Sequence, residues 1–122
     1  MTMKPRNNAK STDHDLFCDF PITKGKLAQE LGIARSTIGV WSQIALYRIA
    51  AFREAYPKDS EGNPDIESPL SPYQSWVLVR VGRLMDQLAS ANRVRQAISK
   101  NPNYFSIYTY RKAQENLTQL SA

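Results

Sequence analysis

Residues 24–43 read KGKLAQELGIARSTIGVWSQ, and their spacing decides the fold class. Leu27, Ala28 and Leu31 fall at i, i+1 and i+4, which predicts one buried face of a short helix for which Thr23 is the N-cap. Gly32 follows, a residue whose missing Cβ permits the left-handed backbone of a sharp helix-to-helix turn. A second helix is expected to start near Ala34. At about 100° per residue it gathers Ala34, Ile38, Trp41 and Ala45 on one packed side. Ala28 is small where two helices must cross closely, and Leu27, Leu31, Ile33, Ile38 and Trp41 hold the second helix at its angle. Together these features predict a helix-turn-helix. The same intervals also describe an ordinary helical hairpin inside any small α-protein.

The opposite side of the second helix collects Arg35, Ser36, Gly39, Val40, Gln43 and Tyr47, with Thr37 beside them. This is a mixture of hydrogen-bonding and small residues, suited to the floor of a DNA major groove. Arg35 can fork onto guanine, Gln43 onto adenine and Val40 can meet a thymine methyl, while Gly39 allows close approach to base edges. Lys24 and Lys26, with the amides near Thr23, are placed to hold phosphates at the first helix N-terminus. Arg48 and Arg53 are candidates for gripping the backbone beside the groove.

Working outward, residues 1–15 are polar and aperiodic and read as a flexible tail, with order beginning near Leu16 and with Phe17 and Phe20 packing on the core. Residues 16–72 form the helix-turn-helix and a wing-like connector. The second helix is expected to continue as far as Ala55, since Pro57 forbids extension. The connector, with Glu61, Gly62, Asn63 and Pro64 at its apex, has the composition of an exposed loop or hairpin tip. Ser71, with Pro72 at the first helical position, caps the long helix of residues 73–122, which runs to about Lys100 with Trp76, Val77, Val81, Leu84, Met85 and Leu88 as its apolar stripe. Asn101, Pro102 and Asn103 interrupt it. Tyr104, Ile107, Tyr110, Ala113, Leu117 and Leu120 then predict a terminal helix, although the β-favouring run from Tyr104 to Tyr110 leaves a strand open. Its aromatic residues either complete the core or form a dimer surface. Arg80, Arg83, Arg93 and Arg95 are expected to be exposed. The fold class is thus mainly α, a compact helix-turn-helix or winged-helix-like domain with a C-terminal helical dimerisation segment.

The 122 residues allow one core, and the net charge of +5 favours a polyanionic partner. That charge is patterned: residues 21–56 carry net +3 and residues 73–122 net +5, on either side of an acidic connector, residues 57–72, at net −3. Catalysis is not expected. The single histidine, His14, lies between Asp13 and Asp15 in the supposed tail, where three adjoining ligands lack a scaffold. The single cysteine, Cys18, permits neither an internal disulfide nor a cysteine-based metal site. No cofactor, metal or small-molecule effector is expected. The chain shows no signal peptide or membrane span, so a cytoplasmic, nucleoid-associated location is expected.

The stretch LAQELGIARSTIGVWSQIAL, residues 27–46, resembles the opening helix-turn-helix of MerR-type regulators. LSPYQSWVLVRVGRLM, residues 70–85, is similar to the segment after the wing in that family, where a Ser-Pro cap opens a helix packing behind the first two. The resemblance covers about a third of the chain. It implies a winged helix-turn-helix that dimerises and binds an inverted repeat in promoter DNA. The tract between Leu46 and Pro69 is longer than a usual wing and looks partly helical, and no ligand-binding region follows the third helix. The chain is therefore also similar to small repressors of this type that accompany CRISPR-associated transposons and lack an effector domain. The function expected is sequence-specific binding of double-stranded DNA by a homodimeric transcriptional repressor. An architectural, excisionase-like recombination accessory protein would share the fold, and a protein-interaction module with a vestigial helix-turn-helix is a third reading.

Overall fold

The computed structural model describes residues 12–121, with side chains as far as Leu117. It is mainly helical: α1 (Lys24–Leu31), α2 (Arg35–Arg48), α3 (Ala50–Glu54), α4 (Pro72–Leu88), α5 (Ala91–Lys100), a 3-10 turn (Pro102–Phe105) and α6 (Ile107–Ser121). Among the described residues no helix is long and apolar enough to cross a membrane.

Local chemistry sets the first helix pair. The Thr23 hydroxyl accepts from the Lys26 amide at 3.1 Å and starts α1. Gly32 ends it at φ 70°, which lets the Ile33 amide reach back to the Ala28 carbonyl at 3.0 Å. Leu27, Ile38, Trp41 and Ala45 are buried, while Leu31 and Ile33 are half-buried against the same core. Ala34 differs from expectation: it is the exposed N-cap of α2 and does not pack.

Helix α4 is the spine, packing against α2, α3, α5 and α6. It starts at a capping box. The Ser71 hydroxyl accepts from the Gln74 amide, and the Gln74 side chain accepts from the Ser71 amide at 2.8 Å. Gln74 is fully buried and its Nε2 donates to the Phe52 carbonyl at 3.0 Å, so this polar side chain ties α3 to α4 with its needs met. Tyr73, Trp76 and Tyr110 form an aromatic cluster at the α4–α6 contact, with Phe17 stacked on Tyr110. The Tyr73 hydroxyl donates to the Phe105 carbonyl at 2.6 Å and fixes the 3-10 turn.

Several expectations are corrected. Helix α2 stops at Ile49, not at Ala55. Ile49 is extended (φ −122°, ψ 102°) with its side chain buried, and Arg53 of α3 donates to the Leu46 carbonyl at 2.8 Å, closing the end of α2. The long helix from Pro72 divides at Ala89, which takes left-handed backbone (φ 55°), and Ser90 caps α5. The terminal segment is helical as its spacing predicts, but α6 starts at Ile107 after a 3-10 turn, and the strand left open for residues 104–110 is not formed; Phe105 and Tyr110 complete the core, while Ile107 and Tyr108 stay exposed. Phe20 is 77 % exposed and does not pack. The connector carries no strand pair among the described residues. It holds single antiparallel bridges, Lys58 with Pro64 around Gly62 at the apex, and Ile22 with Leu70, which joins the chain before α1 to the chain before α4.

The tail expectation is corrected as well. Residues 1–11 lie outside the described residues, but Thr12 and Asp15 are fixed to α4. Thr12 is buried and donates to Asp86 at 2.8 Å. Asp15 accepts from Trp76 Nε1 at 3.1 Å, bidentately from Arg80 at 3.1 and 2.8 Å, and from Arg83 at 2.8 Å. Arg80 and Arg83 are therefore not exposed; their side chains are 12 % and 17 % accessible. The Arg80 guanidinium also lies between the rings of Trp76 and Tyr104, at 4.4 and 4.3 Å.

Because left-handed backbone strains any residue with a Cβ, Ala89→Gly is expected to raise the unfolding free energy by about 1 kcal/mol in a urea titration. A lower midpoint would count against the left-handed assignment.

Candidate functional site

The packed side of α2 is pinned by one close crossing. A Cβ built on Gly82 of α4 would lie 2.4 Å from Cη2 of Trp41, so the indole occupies the space a side chain at residue 82 would need. With that side fixed, Arg35, Ser36, Gly39, Val40, Gln43 and Tyr47 all face outward and are exposed, Tyr47 at 73 %. Thr37 is half-buried. Nothing lies within 4 Å of where a Gly39 Cβ would be, so that turn of helix is open to a ligand.

The first turn of α2 is unusual in one respect. Ala34 has no side chain to cap it, leaving the initial amides without a side-chain acceptor at the positive end of the helix dipole. An anionic group arriving there finds donors already oriented.

The second wall comes from the connector. One hollow of about 420 Å³ runs along Ser36, Gly39, Val40, Gln43 and Tyr47 to Ile66. An adjoining one of about 370 Å³ is bounded by Thr23, Lys24, Arg35, Gly39 and the connector residues 66–69. The outward face of α2 is thus one side of a groove whose other side is residues 66–69.

Lys24 joins the two walls. Its Nζ donates to the Ile66 carbonyl at 2.8 Å and sits 5.7 Å from the centroid of the Tyr56 ring. Burial pushes its pKa below the ordinary 10.5; Glu67 opposes that shift and Arg35 adds to it, which places one carboxylate and two cations in the same small region. Lys24 is a half-buried brace, where the sequence suggests a free phosphate-holding arm.

The other candidates are dispersed. Lys26 is exposed and lies 3.8 Å from Glu30 on α1, an ion pair too open to hold it rigidly. Arg48 is exposed at the end of α2, whereas Arg53 is half-buried and occupied in closing that helix. The groove thus brings together Thr23, Lys24, Arg35, Ser36, Gly39, Val40, Gln43 and Tyr47, but neither hollow is lined by Lys26, Thr37, Arg48 or Arg53. Ile66 and Glu67 are groove residues that sequence reasoning missed. The loop itself carries no sign of them; the Ile22–Leu70 bridge delivers them to α1 and α2. No protein-family model, curated protein or solved structure matches the chain.

Proposed function

We propose that this chain is a sequence-specific double-stranded DNA-binding protein of the MerR type, a homodimeric transcriptional repressor whose recognition helix is α2. The observation carrying the reading is the division of α2 into two sides. Ile38, Trp41 and Ala45 are locked into the core, and the opposite side presents a guanidinium, a carboxamide, a hydroxyl, an open glycine and a small apolar side chain without burying any of them. That set matches the donors, acceptors and methyl groups of major-groove base edges. The uncapped start of α2 adds a place for a backbone phosphate. The resemblance of residues 27–46 and 70–85 to MerR-type regulators supports the same assignment.

A single helix-turn-helix reads few base pairs, and a dimer placing two copies about 34 Å apart on a palindrome supplies the remaining specificity. Helix α6 exposes Ile107, Tyr108 and Leu117 and is the surface we assign to dimerisation.

The test is selection of bound fragments from genomic DNA with the full chain, scored for symmetry. An inverted repeat near promoters is expected. Direct or phased sites would indicate a recombination accessory protein, and failure to retard any duplex in dilute buffer would remove the DNA-binding assignment. On the selected site, Arg35→Ala is expected to cost about 1–3 kcal/mol while leaving binding to unrelated duplex nearly unchanged. Equal losses on both would mean that Arg35 touches phosphate.

A further inference from the structure

We infer that Glu67 of the connector and Arg35 of α2, which line the same groove, together read a G·C base pair from its major-groove edge. The inference rests on the DNA-binding assignment above and names the chemistry of its ligand.

The connector holds Glu67 in place through its backbone. The Glu67 amide donates to Asp65 Oδ1 at 3.2 Å, the Ser68 amide to the Asp65 carbonyl at 3.1 Å, and Leu70 is bridged to Ile22 on both sides at 2.7 and 2.9 Å. Lys24 braces the same stretch through the Ile66 carbonyl. Other acidic residues of the loop serve its own turns: Asp59 accepts from the amides of Glu61 and Asn63, and Asp65 from Glu67 and Ser68. Glu67 instead leaves its side chain exposed at the groove, opposite an exposed Arg35. Lys24 commits its ammonium to the backbone and does not close on this carboxylate.

An ionised carboxylate only accepts hydrogen bonds, so the partner of Glu67 itself on a duplex is a group that donates them. In the major groove such donors are the amino groups of cytosine and adenine. The neighbouring guanidinium decides between them, because its paired N–H groups match the two acceptors of guanine, N7 and O6. Guanine with its cytosine presents two acceptors and then a donor along one edge, the complement of Arg35 followed by Glu67.

The experiment enriches a randomised duplex pool on the full chain and then compares the recovered duplex with versions in which each G·C pair is replaced by A·T. Wild type, Glu67→Ala, Glu67→Gln and Glu67→Ala combined with Arg35→Ala are measured at two salt concentrations, with thermal unfolding as a control on folding. Wild type is expected to lose about tenfold at one replaced pair. Glu67→Ala should keep only the share of the discrimination that Arg35 supplies through guanine, Glu67→Gln, whose amide oxygen still accepts, should retain more of it, and Glu67→Ala combined with Arg35→Ala should bind both versions alike. If Glu67→Ala instead strengthens binding to every duplex by one factor and the replaced pair is rejected as strongly as by wild type, Glu67 is only a repulsive charge and the inference falls. It also falls if the enriched duplex contains no discriminated G·C pair. Enrichment of no duplex at all by wild type would bring down the DNA-binding assignment itself.

Discussion

Trp41→Ala is expected to lower the unfolding free energy by about 3–5 kcal/mol, the usual cost of truncating a large buried aromatic. The ring is 5 % exposed and lies against Gly82, where α2 crosses α4. A domain of this size has roughly 5–15 kcal/mol in total, so the variant should be close to unfolding at ambient temperature. If α2 is the recognition helix proposed above, duplex binding should fall with it, because the exposed side of α2 is positioned through its buried side. Gly82→Ala probes the same contact from the other partner. Its methyl would sit 2.4 Å from the indole, and overpacking of this kind costs about 1–3 kcal/mol, partly offset by better helix propensity. In a Trp41→Phe background the outer ring atoms are gone and the added methyl should cost much less. Strict additivity of the two substitutions in a double-mutant cycle would show that they do not touch.

Asp15→Asn should be nearly as damaging, by about 2–4 kcal/mol at neutral pH, since it leaves two largely buried guanidinium groups without their shared counter-ion. The sign of its pH dependence follows from the carboxylate. Burial raises the Asp15 pKa, but the hydrogen bonds from Arg80 and Arg83, the Arg80 charge and the Trp76 N–H together outweigh it, leaving the pKa below its ordinary 3.8. A depressed folded-state pKa contributes stability that is fully present above the unfolded value and disappears as pH falls through the folded one. The gap between wild type and Asp15→Asn should therefore be constant from pH 7 to about 5 and close progressively below pH 4. A gap that persists undiminished at pH 2 would mean that the carboxylate charge is not what holds the segment around Asp15 on α4.

These two sites mark where sequence reading succeeds and where it stops. The Thr23 cap, the Gly32 turn, the buried side of α2 from Ile38 to Ala45 and the Ser71–Pro72 start of α4 are all determined within a few residues, and the structure has them. The breaks at Ile49 and Ala89 carry neither glycine nor proline. The first is set by burial of the Ile49 side chain and by Arg53 reaching back, the second by an alanine in a strained conformation. Asp15 looked like tail because its partners lie more than sixty residues away. The exposed face of α2 was legible from helical periodicity, but the wall opposite it was not. Glu67 belongs to a stretch that reads as solvated loop, and only the pairing of Ile22 with Leu70 brings it to Arg35. Lys24 shows the same limit, since a lysine at a helix start looks free until the acceptor that folds onto it is known.

The absent cap at Ala34 has a thermodynamic consequence for the molecule at rest. A serine or aspartate there would typically add about 1 kcal/mol to the helix, and the chain forgoes it at the end of α2 nearest the groove. The opening turn is held instead by the Thr37 and Ile38 amides, which donate to the Ala34 carbonyl, and by the buried Ile38 side chain. A negatively charged group placed on the initial amides of α2 would supply the missing cap, so that helix stability and occupancy by an anion would rise and fall together.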